Sequence, residues 1–95
     1  MKILAIEKEI EGKVKADFAP FLLNEAAEVW KLYKEGVIRE IYFNEHNNAV
    51  MMLECDDNAT AREILNTLPL VKNNLITFEI SALTPYKGFE RLFNH

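Results

Sequence analysis

The chain has 95 residues, a formal net charge of −4 and 49% hydrophobic residues, with three Gly and three Pro. This length suits a single domain, residues 1–95, because two separate cores would not fit. The acidic balance disfavours nucleic-acid binding, which needs clustered Lys and Arg. No apolar run reaches the roughly 18 residues that span a membrane, and no secretory signal pattern is present. Cys55 is single. We therefore expect a cytoplasmic protein with neither nucleic acid nor membrane as partner.

The first two predicted elements are a strand and a long helix. Residues 2–9 are apolar on both faces through the middle, which is typical of a strand covered on both sides. After a polar break, the helix should begin near Asp17, a good N-cap residue, and tolerate Pro20 in its first turn. It should end at Gly36, which suits the left-handed conformation that often follows a helix. The apolar stripe of this helix comprises Phe18, Phe21, Leu22, Ala26, Val29, Leu32 and Tyr33.

Beyond Gly36 the sequence predicts a hairpin, a second helix and a last strand. β-Branched and aromatic residues form the hairpin strands around an Asn-rich turn. Asp56 and Asp57 offer N-cap side chains to the helix, and the last strand shows clean two-residue alternation. The predicted bounds are 37–43 and 49–55 for the hairpin strands, about 59–68 for the helix, which Pro69 ends, and 75–83 for the last strand.

This order, β-α-β-β-α-β, predicts an α+β fold of the ferredoxin-like type, a four-stranded antiparallel sheet with two helices on one face. The other face would keep apolar residues, Met51 or Met52 among them, in a patch larger than monomers usually expose. Two sheets stacked face to face would cover it, which predicts a homodimer, the dimeric α+β barrel. Residues 84–95 form an aromatic tail that should pack against the body or a neighbouring subunit.

Glu25 interrupts the apolar stripe of the first helix. A carboxylate at such a position must be paired, protonated or beside a cavity. Arg39 is its candidate partner, either in a structural ion pair or as the cation that holds an oxyanion while Glu25 acts as general base. Trp30, Tyr33 and Tyr42 are candidates for binding a flat organic ligand, although aromatic residues at helical spacing are more often part of the core.

Glu79 interrupts the last strand. It is either a ligand-binding residue that meets Arg39 or one member of a charge pair in the dimer interface. His46 and His95 have no spacing typical of metal ligands, so we predict no metal site. The sequence has no glycine-rich phosphate loop, no Ser-His-Asp order and no nucleotide fingerprint, and we predict no cofactor.

Between about residues 18 and 85, several short sequence segments are similar to those of a known family and occur in the same order. They are residues 34–39 (Lys-Glu-Gly-Val-Ile-Arg), 51–56 (Met-Met-Leu-Glu-Cys-Asp), 68–70 (Leu-Pro-Leu) and 78–80 (Phe-Glu-Ile), with Pro85. In this the chain resembles the muconolactone isomerase family of the dimeric α+β barrel superfamily. The resemblance implies a proton shift on a small unsaturated lactone, without cofactor, and dimers that assemble into larger rings.

Glu25 and Arg39 would supply the base and the oxyanion partner that such a reaction needs. Two alternatives stay open. One is a non-catalytic small-molecule binding protein with the same pocket, and the other is a cofactor-free monooxygenase acting on an aromatic compound.

Overall fold

The computed structural model describes residues 1–93, in which four strands form one antiparallel sheet in the spatial order β2-β3-β1-β4. The strands are β1 (Lys2–Glu9), β2 (Ile38–Phe43), β3 (Ala49–Glu54) and β4 (Ile76–Leu83). The helices are α1 (Lys15–Phe18), α2 (Leu22–Lys34), α3 (Asn58–Leu65) and α4 (Pro69–Lys72), and they pack on one face of the sheet. The predicted ferredoxin-like α+β fold is confirmed. None of the helices in residues 1–93 is long and apolar enough to cross a membrane.

The strand register sorts side chains onto two faces of the sheet. Ile3 pairs with Leu53 and Ala5 pairs with Met51, and all four side chains lie in the core beneath the helices. The buried core consists of Ile3, Ala5, Ile38, Ala49, Met51, Leu53, Cys55, Ala61, Leu65, Leu68, Leu70, Leu75, Ile76 and Phe78. The α3 and α4 helices contribute to this set, whereas the side chains of α2 that touch it are only partly buried. The core therefore lies toward the α3 side of the helical layer.

The opposite face of the sheet carries an apolar strip without helices over it. Leu4 and Ile6 of β1 lie opposite Met52 and Val50 of β3, and all four side chains are half-buried. We call these four residues the open face. It is the surface for which the sequence predicts a second copy of the chain, and the homodimer stays a prediction.

The predicted first helix is divided into two pieces. A 3-10 turn of Ala19–Phe21 separates α1 from α2, because Pro20 lacks the backbone N–H that a continuous helix would use. The prediction of Asp17 as N-cap was wrong. The Val14 N–H donates to Asp17 Oδ2 at 2.9 Å, so this carboxylate closes the first turn from within α1. The stop at Gly36 is confirmed, with φ at +81°.

The second predicted helix is also divided. Asp57 caps α3 as predicted, its Oδ1 accepting the Thr60 N–H at 2.7 Å, but the helix ends earlier, at Leu65. Pro69 does not end a helix. It opens α4, where its missing N–H costs no intrahelical hydrogen bond. The next residue, Leu70, therefore carries the first backbone N–H of α4.

The described part of the tail does not pack against the body of its own chain. Tyr86 and Phe89 contact each other edge to face, with ring centroids 4.9 Å apart, and the Tyr86 ring lies over Gly88. Yet Tyr86, Phe89, Leu92 and Phe93 are each at least 65% exposed. The aromatic rings cover one another and the local backbone instead of the core. Packing against a neighbouring subunit stays a prediction, and His95 lies outside the described residues.

The core assignment predicts which leucines stabilise the fold. Leu65 is 1% exposed, so Leu65→Ala should lower the free energy of unfolding by about 2–5 kcal/mol, through lost burial and the cavity left behind. Leu23 on α2 is 83% exposed, and Leu23→Ala should change that free energy by less than about 0.5 kcal/mol. Urea denaturation followed by circular dichroism measures both. Equal losses would contradict this core assignment.

Candidate functional site

A cavity of about 1210 Å³ opens between α2 and the helix-facing side of the sheet. Its apolar lining includes Phe18, Val29, Trp30, Met51 and Phe78. The helix α2 packs against β2 and α4 without burying any side chain completely, and Ile41 at the β2 edge stays exposed. A predominantly apolar cleft with a few polar groups is the usual form of a small-molecule site.

Glu25 enters this cavity from α2. Its Oε1 accepts a hydrogen bond from the Leu70 N–H at 2.9 Å. Because Pro69 has no N–H, this is the first orphan donor of α4, and the carboxylate serves as its cap from another helix. Burial raises the pKa of Glu25, the Leu70 hydrogen bond lowers it, and the neighbouring charge of Glu28 raises it. The side chain thus holds a structural contact while facing the cavity.

A second carboxylate, Glu7, lines the same cavity and was not among the residues predicted from the sequence. It follows Ile3 and Ala5 on the helix-facing side of β1 and lies opposite Phe78 of β4. The signal was present in the sequence, because two-residue alternation places Glu7 on the face of two fully buried residues. Glu7 thus resembles Glu25, because each is a carboxylate among apolar residues on one face of its strand or helix.

The electrostatics of Glu7 resemble those of Glu25. Burial raises the pKa of Glu7, the backbone amide of Ala49 lowers it, and the negative charges of Glu9 and Glu25 raise it further. Both half-buried acids therefore hold their protons more tightly than an exposed glutamate does. The two carboxylates therefore face one cavity from opposite layers, both with a raised pKa.

Arg39 lies at the wall of the cavity in an irregular part of β2. The register of β2 against β3 shifts between Ile38 and Glu40, and the Arg39 Nε donates to the Gly36 carbonyl at 2.7 Å. Within residues 1–93 no carboxylate lies within ion-pair distance of Arg39, so the predicted structural pair with Glu25 is not formed. The bulge directs the side chain to the helix end instead. Its role as oxyanion partner stays a prediction.

The three predicted aromatic residues all line the cavity. Trp30 and Tyr33 stack with ring centroids 5.9 Å apart and an interplanar angle of 17°, and Lys34 Nζ lies 5.7 Å from the Trp30 centroid. The Tyr42 hydroxyl donates to Glu40 Oε1 at 2.9 Å. The three rings are exposed and do not belong to the core. Their contact with a ligand stays a prediction.

Glu79 lies outside the cavity, on the same side of the sheet as the open face. It pairs with Ile6 in the β1–β4 register, and its Oε2 lies 3.9 Å from Lys8 Nζ. The predicted meeting of Glu79 with Arg39 was wrong, because β2 and β4 are the two opposite edges of the sheet. The substrate-binding role predicted for Glu79 gains no support from this cavity.

No protein-family model matches the chain, and no curated protein matches it. Among solved structures, the chain is similar to 5-chloro-2-hydroxyhydroquinone dehydrochlorinase (TftG) from Burkholderia phenoliruptrix AC1100, in complex with 2,5-dihydroxybenzoquinone. The TM-score is 0.65 at 14% sequence identity, and the match covers 93% of this chain and 98% of that chain. At this identity the likeness shows a shared fold, which by itself assigns no reaction.

The raised pKa values predict how stability depends on pH. A raised pKa in the folded state means that the stability contributed by the protonated acid is present below the ordinary glutamate pKa of about 4.3. It is lost as the pH rises through the raised value. Glu7→Gln should therefore melt at a higher temperature than the wild type at pH 7, and this advantage should disappear below pH 4.3.

The matched control is Glu63→Gln, an exposed carboxylate of α3, which should show no such gain. Differential scanning calorimetry across the pH range measures both variants. A Glu7→Gln variant that melts below the wild type at pH 7 would contradict the electrostatic assignment.

Proposed function

We propose that this protein is a cofactor-independent isomerase that moves a proton on a small unsaturated lactone or a related metabolite of aromatic-compound breakdown. The observation that carries the proposal is Glu25, a half-buried carboxylate with a raised pKa that faces an apolar cavity. Such a group is suited to general-base catalysis, which works best when the pKa approaches the working pH. The resemblance to the muconolactone isomerase family supplies the reaction type.

The proposed reaction places the lactone ring between α2 and the sheet, beside the stacked rings of Trp30 and Tyr33. Glu25 removes a proton from a carbon that is conjugated with the carbonyl group. The electron pair moves into the conjugated system, and negative charge develops on the carbonyl oxygen. In this proposal that oxygen is stabilised by Arg39 and Lys15, the cationic residues of the lining.

The likeness to the dehydrochlorinase supports the substrate class. The name of that enzyme gives a small chlorinated hydroxyhydroquinone as its substrate, and its complex contains 2,5-dihydroxybenzoquinone. Both are flat, oxygen-bearing rings. The cavity of this chain is large enough for a molecule of that kind, and the stacked rings of Trp30 and Tyr33 line it.

A non-catalytic binding protein is the second candidate, and the Leu70–Glu25 hydrogen bond favours it. A carboxylate that caps α4 has a structural reason to be present even without chemistry. In such a protein the same cavity would bind the ring compound and release it unchanged.

Glu25→Gln tests the proposed base. The variant keeps a side-chain oxygen that can accept the Leu70 N–H, so the fold should persist while basicity is lost. With muconolactone as substrate, the ultraviolet absorbance change should slow by at least about a hundredfold, the scale expected of a general base. The wild type in deuterium oxide should also incorporate solvent deuterium.

Glu63→Gln serves as the control and should react at the wild-type rate. If the wild type leaves muconolactone unchanged but melts at a higher temperature in its presence, the binding-protein candidate is favoured. Oxygen consumption with an aromatic substrate would instead indicate the monooxygenase alternative.

We also propose that the protein forms a homodimer through the open face. Leu4, Ile6, Val50 and Met52 form a continuous half-buried strip, and a small domain gains stability when such a strip is covered. A second copy offers a surface of the same shape, related by twofold symmetry.

Met52→Lys should therefore convert a dimer into monomers, since it places a charge at the centre of the proposed interface. Ala27→Lys, which adds the same side chain on the exposed side of α2, should leave the mass unchanged. Light scattering after size-exclusion chromatography measures the molar mass. A Met52→Lys protein that stays dimeric would place the interface elsewhere.

A further inference from the structure

We propose that Glu7 is a second catalytic residue of the cavity, the acid that delivers a proton to the substrate after Glu25 has removed one. This inference rests on the proposed function and names a residue that the sequence resemblance does not supply. It assigns the chemistry to two carboxylates on facing layers of the fold, one on the sheet and one on the helix.

The geometry holds both groups in place. Glu7 lies on β1, which pairs with β3 as far as Ile6 and with β4 through Glu7, where Phe78 is the partner. Glu25 lies on α2 and is oriented by the Leu70 N–H. Both side chains line the one cavity. A flat ligand between the sheet and α2 would thus meet Glu7 from the sheet and Glu25 from the helix.

The surroundings divide the roles. The Leu70 hydrogen bond stabilises the anionic form of Glu25, which suits a base. Burial raises the pKa of Glu7, the Ala49 amide lowers it, and the negative charges of both Glu9 and Glu25 raise it further, which suits an acid. The charged groups that share the cavity with Glu7 are Glu9 of β1, Lys15 of α1, Glu25 of α2, and Arg39 and Glu40 of β2.

The step balances without a further reactant. Glu25 takes the proton, the electrons of the broken C–H bond form a new C=C bond, and the carbonyl oxygen receives the displaced pair as a dienolate. The distal carbon of the dienolate then takes the proton of Glu7, and the carbonyl double bond re-forms. Glu25 is now protonated and Glu7 is an anion, and proton exchange through the open mouth restores the starting state.

This arrangement defines a substrate class. Two groups on facing layers suit a flat unsaturated cyclic carbonyl compound that releases a proton on one face and accepts one on the other. The delivered proton belongs to Glu7, which exchanges with solvent before each turnover. The product formed in deuterium oxide should therefore carry solvent deuterium at the accepting carbon, with little internal return of the substrate proton.

The first test measures the pair without any ligand. Carbon-13 NMR of carboxyl-labelled glutamate follows the titration of Glu7 in the wild type, in Glu25→Gln and in Glu63→Gln. The pKa of Glu7 should lie above the ordinary glutamate value, fall in Glu25→Gln because a neighbouring charge is gone, and stay unchanged in Glu63→Gln. An ordinary pKa for Glu7 that Glu25→Gln does not alter overturns the inference.

The second test uses muconolactone in deuterium oxide. Glu25→Gln should lose both deuterium exchange into the substrate and product formation. Glu7→Gln should keep the exchange, since its base is intact, while product formation slows by about a hundredfold. A Glu7→Gln variant that isomerises at the wild-type rate overturns the inference even when Glu25→Gln is inactive.

The two tests separate the inference from the proposed function. If the wild type does not act on muconolactone, the proposed function fails for that substrate. The titration alone then tests whether Glu7 and Glu25 act as a pair. A lower pKa of Glu7 in Glu25→Gln supports the pair, and an ordinary pKa that Glu25→Gln leaves unchanged overturns it.

Discussion

The hydrogen bond from the Leu70 N–H to Glu25 joins the two parts of the helical layer. Leu70 is buried in the core with α4, whereas α2 is held to the sheet by partly buried side chains alone. Loss of the acceptor would leave a half-buried donor unpaired, at a cost of about 1–3 kcal/mol. This contact therefore ties α2 to α4, and it orients the Glu25 carboxylate.

The cavity and its two acids are one feature of the fold. Glu7 and Glu25 each lie where the surrounding sequence pattern predicts an apolar side chain. Glu7 follows the buried Ile3 and Ala5 on one face of β1, and Glu25 lies within the apolar stripe of the helix. Apolar residues at both positions would let α2 close on the sheet. Carboxylates resist such closure because desolvating them is costly, so space and solvent access remain around them. The pKa of each acid is raised because its carboxyl group is still partly removed from solvent.

The sequence predicts the strands well and the helix boundaries less well, for physical reasons. Strand alternation is local, so the bounds of β1 match the prediction and the other strands shift by a residue at one end. Pro69 is ambiguous locally, because a proline can follow the end of one helix or open another, where the next N–H needs an acceptor from elsewhere in the chain. That acceptor, Glu25, lies 45 residues away. The bulge at Arg39 likewise depends on the register of β2 against β3, which the pattern of one strand does not contain.

Glu25 and Glu7 do not bear equally on whether the protein is a catalyst. Capping α4 gives Glu25 a structural role, which a binding protein of the same fold would share. Glu7 has no helix end to cap. Its compensating partner is the Ala49 amide, and it lies beside the like charges of Glu9 and Glu25, next to the buried Ile3 and Ala5 on its face. A binding cavity for a neutral ring would be more stable with an apolar residue there. Glu7 therefore adds an argument for catalysis that does not depend on the helix carboxylate, Glu25.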